Sequence, residues 1–404
     1  MMRVLYFHQY FQASTGSWPT RSYEFARHLV SQGHEVTMVA GLPDLSGAHD
    51  GYKMHESDVH GIRVLWLGMP YSQHLGTPGR LLSFAAYAAL GSLVAARVDK
   101  PDVVFATSTP LSAGIPGLMT ACIMRVPFVF EVRDLWPEIP IALGFLKDQV
   151  SIRAATALER LLYREASALI ALSPGMERGM VAAGADAKKI TVIPNMADLT
   201  LFAQHQAGAS WRDEVGIPRE ATVAVHHGTM GLVNDVGQLV DAAELLRDSG
   251  IYMALIGQGK ERAMLEARVQ AAGLSNVVFD GPRPRLTIPW VLSQADIGVM
   301  CVKHVPALYH NCANKFGDFL AAGLPVVVTY PGWQGKLLEN YDAGLVASTE
   351  EGPENLAKAL LALQANSSER LAMAANARRL GRQEFARDDL VRRFEEVLLD
   401  AIEA

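Results

Sequence analysis

The sequence predicts an α/β protein built from two doubly wound, Rossmann-like domains, and three observations carry that expectation. Short apolar runs alternate with helix-period segments along almost the whole chain. Several runs, among them Val103-Val104-Phe105 and Val326-Val327-Val328, lack the polar alternation of a half-exposed strand, as parallel strands covered on both faces do. A chain of 404 residues also exceeds one ordinary core. It suits two domains of roughly 150–200 residues each.

In the first half, strands are expected at 3–8, 35–40, 62–67, 102–106, 127–132, 168–172 and 190–193, with helices such as 21–32 between most of them. In the second half they fall at 221–227, 252–256, 276–279, 296–301, 325–329 and 345–347. Periodicity lapses across 194–210, which sets an N-terminal domain at 1–200 and a C-terminal one at 201–382. The stretch 367–403 reads as two helices, and 387–399 gathers Leu390, Phe394, Val397 and Leu398 on one face.

Half the residues are apolar and 19% are charged, enough for substantial cores. The net charge of −6 argues against a nucleic-acid polymer as partner. It is unevenly spread. Residues 1–195 hold 17 basic against 16 acidic side chains, a net of +1, and the remainder holds 19 against 26, a net of −7. Cys122, Cys301 and Cys312 are an odd set without metal spacing, as expected of reduced thiols in the cytoplasm. Met1-Met2-Arg3 runs directly into the strand-like Val4-Leu5-Tyr6-Phe7, so no signal peptide is expected. The uncharged stretch 81–96, between Arg80 and Arg97, is shorter than the ~20 residues of a bilayer span. It fits either a buried domain helix or an interfacial helix that docks on the inner face of a membrane.

The segment most charged with chemistry is Asn314-Lys315-Phe316-Gly317-Asp318-Phe319-Leu320-Ala321-Ala322-Gly323-Leu324-Pro325. Asn314 can cap a helix here, Gly323 can end it, and Phe316, Phe319 and Leu320 supply its buried side. Lys315 then sits in the first turn, where backbone N–H groups and the helix dipole favour an anion. One turn on, Asp318 can accept hydrogen bonds from a diol. A cation for phosphate oxygens and a carboxylate for ribose hydroxyls are what a nucleotide-sugar site needs.

Glycine turns close several expected strands: Gly228-Thr229-Met230-Gly231 after His226-His227, Gly257-Gln258-Gly259 after Ile256, and Gly281-Pro282-Arg283-Pro284 after Phe279. Each alone is also an ordinary strand–helix turn. Together they collect at carboxyl ends of parallel strands, where doubly wound sheets bind ligands, and their small residues let amides approach a diphosphate.

These stretches resemble a retaining glycosyltransferase of family 4 with the two-domain GT-B fold. The matching pieces are Tyr23-Glu24-Phe25-Ala26-Arg27-His28-Leu29 with Gly33-His34-Glu35-Val36-Thr37, Ile193-Pro194-Asn195, the first two glycine turns, Ala295-Asp296-Ile297-Gly298 and the Lys315 helix. Arg133-Asp134-Leu135-Trp136-Pro137-Glu138 further resembles the subgroup that builds bacterial surface polysaccharides. The resemblance implies two domains facing across a cleft, a nucleotide-sugar donor on the C-terminal domain, an acceptor on the N-terminal one, and a final helix, 383–404, crossing back to the first domain. Carried over by position, Lys315 contacts the diphosphate and Asp318 the ribose. Gly228, Thr229, Met230, Gly231 and Gly257 face the phosphates, and Arg283 and Pro284 flank the base. A UDP-sugar is the expected donor, with no cofactor.

The chain departs from the family at two places. The paired glutamates of the family are replaced by His310 and Asp318, and a histidine can still donate to or accept from a sugar hydroxyl. The arginine frequent in the loop after the first C-domain strand is absent from Leu232-Val233-Asn234-Asp235. Asn234 offers a donor there, and Lys315, Arg283 or Arg285 carry the phosphate charge. No Asp-x-Asp sequence occurs, which agrees with a metal-independent, front-face mechanism.

In the first half, Gly16 and Trp18 lie in a loop resembling the family's glycine-rich loop. Trp18 can stack on a sugar or pack on protein, and Arg21 can reach phosphate or pair with local carboxylates. Arg133 and Asp134 end a buried run; Asp134 reads equally as a catalytic sugar or acceptor contact and as half of a structural pair. His8, His226 and His227 also end strands, where a satisfied buried histidine is the commoner outcome. The expected activity is transfer of a hexose or N-acetylhexosamine to a lipid-linked saccharide at the membrane surface. A soluble aglycone or sugar acceptor, or a non-catalytic nucleotide-sugar binder, are the alternatives.

Overall fold

The computed structural model describes residues 1–12, 21–41, 54–68, 77–203 and 210–404. Gly16 and Trp18 lie outside them. The chain divides into two compact units, one built from residues up to Pro194 together with Asp388–Ala404, the other from Asn195–Arg387. The boundaries differ from 200 and 382 because the flanking segments are tied into the second unit. Asn195 Nδ2 donates to Cys312 O at 2.5 Å, and the Ala197 amide to Phe385 O at 2.7 Å.

The first unit holds β1 (Arg3–Phe7), β2 (Glu35–Gly41), β3 (Met54–Val59), β4 (Ile62–Leu67), β5 (Val103–Thr107), β6 (Phe128–Val132), β7 (Ala168–Ala171) and β8 (Ile190–Val192). Their order is β3-β4-β2-β1-β5-β6-β7-β8. Every pairing is parallel except β3–β4. Sequence periodicity misses β3, because Met-His-Glu-Ser-Asp-Val on an exposed edge has no buried face to mark it. Its signal is the turn. His60 at φ 54° and Gly61 at φ 85° form a two-residue reversal with both φ positive, which matches the twist of a hairpin.

The helix Arg387–Glu403 packs inside this unit from Asp388 onward. Phe394 is buried, stacked on Phe25 at 4.1 Å and edge-on to Phe105 at 4.9 Å. Its neighbour Glu395 accepts from His28 Nε2 and His34 Nε2, both at 2.7 Å.

The stretch 81–96 forms the end of the helix Thr77–Ser92 and a following 3-10 turn, Leu93–Ala96. Ser83, Tyr87, Gly91 and Val94 face inward, and Tyr87 Oη donates to Val39 O at 2.8 Å. Leu81, Leu82 and Leu93 are 60%, 58% and 65% exposed, so the segment is a packing helix whose outer face is also apolar. Among the described residues, no helix is long and apolar enough to cross a membrane.

The second unit holds β9 (Thr222–His227), β10 (Ile251–Ile256), β11 (Val277–Asp280), β12 (Ile297–Met300), β13 (Val326–Val328) and β14 (Gly344–Val346), all parallel, in the order β11-β10-β9-β12-β13-β14. Strand order reverses beside β9, whose neighbours are β10 and β12. The carboxyl ends of β9 and β12 are therefore where this topology opens a crevice.

Candidate functional site

Lys315 lies on the helix Asn314–Ala322. The N-cap is Ala313 rather than Asn314, and no side chain closes the first turn. Gly323 ends the helix at φ 69°, as its position in the sequence suggests. Phe316, Phe319 and Leu320 are buried. Phe319 packs so closely on β12 that a Cβ on Gly298 would come within 2.6 Å of its ring. That contact presses the helix onto the sheet and delivers Lys315 to the end of β9. There Nζ donates to His226 Nε2 at 3.1 Å, and a Cβ on Gly228 would lie 3.3 Å from Nζ. Burial pulls the Lys315 ammonium down to about 8 from an ordinary 10.5.

Asp318, also buried, faces the same strand end. Its Oδ1 accepts from Arg285 Nη1 at 2.5 Å, and its Oδ2 lies 3.5 Å from His227 Nε2, too far for a sound hydrogen bond. Burial holds His227 at about 4, with Asp318 pulling upward and Lys315 and Arg285 adding to the fall, so the ring is neutral near pH 7. The expected ribose carboxylate is thus already engaged by a side chain from the loop after β11.

The glycine turns are built for backbone contact. The Gly228 amide donates to Ile256 O and the Met230 amide to Gln258 O, both at 2.8 Å. A Cβ on Gly257 would fall 2.0 Å from Gly228 O, so this position has no room for one. Asn234 Nδ2 donates to Thr229 O at 2.6 Å, which folds Gly228–Asp235 back on itself. Arg283 is held by Asp280 through Nε at 2.8 Å and by Glu214 through Nη2 at 2.8 Å, beside the exposed Pro284. His310 ends the 3-10 turn Pro306–His310, next to Asn311, whose buried Oδ1 has no protein partner.

In the first unit Arg21 takes its structural role. Its side chain is fully buried, 2.8 Å from Glu131, and donates to Ile193 O and Pro194 O, which leaves no route to a phosphate. Arg133 and Asp134 do come together with other strand ends. Arg133 Nη1 lies 3.5 Å from His8 Nε2, the Arg133 amide donates to Ser108 Oγ at 2.8 Å, and Thr109 Oγ1 donates to Asp134 Oδ2 at 3.1 Å. Burial raises the Asp134 carboxyl, against Arg133 and Thr109, which lower it. This cluster caps β1, β5 and β6, at the reversal of strand order beside β1.

Sequence reasoning missed three contributors. Arg262 Nη1 donates to Gly257 O at 2.5 Å and to Asp280 O at 2.7 Å, binding the ends of β10 and β11 together. The Lys303 amide donates to Val233 O at 2.8 Å and brings the end of β12 to the Gly228–Asp235 loop. His304 reaches Thr349 Oγ1 at 3.0 Å, and Thr349 donates to Gln238 at 2.5 Å. None sits in a recognisable spacing. Among the described residues, no group of three or more His, Cys, Asp or Glu could hold a metal ion.

Comparison with known proteins bears on the family and the fold. Residues 18–196 match the glycosyl transferase 4-like domain and residues 221–366 the glycosyl transferases group 1 domain. The putative colanic acid biosynthesis glycosyl transferase WcaI of Escherichia coli K12 is 26% identical over 352 residues, 82% of this chain and 85% of that protein. The 2-deoxystreptamine glucosyltransferase of Streptomyces kanamyceticus is 27% identical over 190 residues, 44% of this chain and 46% of that one. Among solved structures, Anabaena Alr3699/HepE in complex with UDP-glucose superposes with a TM-score of 0.72 at 19% identity, covering 99% of this chain and all of that one. With two glycosyltransferase domains that together span most of its length, on a GT-B fold, the chain belongs to the family 4 type glycosyltransferases.

Proposed function

We propose that this glycosyltransferase moves a hexose or N-acetylhexosamine from a UDP-sugar to a lipid-linked saccharide, with retention and without a metal, in surface-glycan synthesis. The observation that carries the reading is Lys315, a buried lysine held at the reversal point of the second sheet, with no carboxylate on it among the described residues. A buried ammonium without a counter-ion is costly unless a bound anion compensates it. A diphosphate does so, and its charge grows as the sugar leaves.

In the front-face mechanism, the acceptor oxygen forms its bond to the anomeric carbon on the face that the diphosphate departs. The C–O bond to the diphosphate breaks, and the acceptor proton passes to the leaving oxygen. Lys315 stabilises the developing charge. The Arg133, Asp134 and His8 cluster is the proposed acceptor contact in the first unit. A membrane-bound acceptor is supported by the apolar outer face at Leu81, Leu82 and Leu93, continued by exposed Met119 and Ile123 on the helix Gly114–Met124. Ser92 Oγ lies 3.3 Å from Met119 Sδ, so the two helices share this surface. A soluble acceptor is the second reading, favoured by the similarity to the 2-deoxystreptamine glucosyltransferase.

The test is transfer from radiolabelled UDP-sugars to lipid extract or to soluble sugars, with wild type and Lys315→Ala. The variant should lose at least about 100-fold in kcat, the scale of one preorganised charge contact. Full activity in Lys315→Ala would sink the donor-site assignment.

A further inference from the structure

We propose that His226 is a positioning residue for the donor site: a neutral ring of one fixed tautomer that holds the Lys315 ammonium where the diphosphate binds. The inference rests on the donor-site reading above and deepens it. His226 is 0% exposed on β9, and each ring nitrogen has a close polar partner, with Cys301 Sγ a second, longer contact of Nδ1. Nδ1 lies 3.0 Å from Val299 O. A carbonyl only accepts, so the ring proton is on Nδ1. Nε2 therefore presents a lone pair, and Lys315 Nζ, 3.1 Å away, donates to it.

The surroundings keep this arrangement from switching. Burial, with the Lys315 charge beside it, holds the histidine well below its ordinary 6.5, so a second ring proton is excluded near neutrality. Cys301 Sγ, 3.8 Å from Nδ1, is pushed up to about 12 by burial and stays an uncharged thiol. His227 is neutral, and Asp318 is paired with Arg285. Lys315 is thus left with a neutral acceptor rather than a carboxylate. A carboxylate at this point would neutralise the charge that the diphosphate requires. A neutral imidazole fixes the direction of the ammonium and leaves its charge available.

Two substitutions separate positioning from packing. His226→Asn keeps a donor near Nδ1, for Val299 O, and loses the acceptor for Lys315. His226→Gln places an amide oxygen near Nε2 and restores it. UDP affinity is measured by calorimetry from about pH 6 to about pH 9, a range that spans the Lys315 titration. His226→Asn should bind UDP about tenfold more weakly than wild type, the loss of one charge-assisted hydrogen bond, and His226→Gln should recover to within about threefold. Lys315→Ala should be insensitive to further change at His226. Independently of any variant, nitrogen NMR of the wild-type histidines should show His226 protonated on Nδ1 and unprotonated on Nε2 throughout.

If His226→Asn binds UDP as wild type does while Lys315→Ala is impaired, the positioning role is wrong and the donor site stands. If Lys315→Ala also binds UDP unchanged, or wild type does not bind it, the donor-site reading falls and this inference falls with it. A ring protonated on Nε2 in the wild type overturns the inference by itself.

Discussion

Arg285 Nη1 lies 2.5 Å from Asp318 Oδ1, so the carboxylate expected to bind a ribose is held by a guanidinium from the loop after β11. The side chains are 16% and 4% exposed, so the pair is largely desolvated. Removing one partner of such a pair strands a buried charge. Arg285→Leu and Asp318→Leu should each destabilise the unliganded protein by about 3 kcal/mol, and the double variant by less than their sum. Thermal unfolding of the three variants checks this. Additive losses would show that the ions act independently.

Acid stability follows from three buried histidines. Burial is the leading cause that lowers His8, His226 and His227 below the ordinary 6.5, and His227 is held at about 4. In the unfolded chain all three take up protons as pH drops through 6.5, while the folded state resists. Their penalty is absent above about pH 6.5 and grows as pH falls towards 4, where His227 itself begins to titrate. Denaturant unfolding should lose stability steeply in this window. His227→Gln should shallow the slope, and an unchanged slope would argue that His227 titrates normally.

Lys315 should weaken the unliganded fold. Its folded value of about 8 lies below the ordinary 10.5, so below about pH 8 both states carry the proton and the folded state bears the burial penalty in full. Between about 8 and 10.5 the folded lysine is already neutral and the penalty fades. Lys315→Met should therefore be more stable than wild type at pH 7, by about 1–3 kcal/mol, with the gap closing as pH rises through that window. UDP should reverse the order, raising the melting temperature of wild type alone. Equal shifts in both proteins would contradict a phosphate role for this lysine.

The outer face of the Thr77–Ser92 helix makes a membrane prediction. Leu81, Leu82 and Leu93 together bury enough apolar area on docking to matter, at about 25 cal/mol per Å². Arg97 and Arg125, at the ends of the two apolar segments, suit an anionic surface. Leu82→Glu with Leu93→Glu should cut sedimentation with phosphatidylglycerol vesicles at least about tenfold, while leaving the melting temperature within a degree or two. Equal binding of wild type and variant would remove this face from the acceptor argument.

How much of this was legible in the sequence depended on burial. Val103-Val104-Phe105 and Val326-Val327-Val328 announced two-sided strands because nothing polar can interrupt a strand covered by helices on both faces. The exposed β3 carried no such mark. The Lys315 helix was legible because Phe316, Phe319 and Leu320 have to face the sheet, and their spacing then puts Lys315 and Asp318 on the strand-end side. Which partner each charge takes was not legible. Arg21 could equally have met a phosphate or Glu131, and only the fold brings β6 beneath it.

Two α/β domains, the glycosyltransferase family, and the residue types that gather at strand ends could all be read from the order of residues. Local periodicity and short motifs report on nearest neighbours along the chain, and these properties need nothing more. Folding is what brings His226 to Lys315, Arg285 to Asp318, and Glu395 to His28 and His34. Those pairs are separated by 33 to 367 residues in the chain, and their energies depend on desolvation at sites that exist only after the sheets have closed.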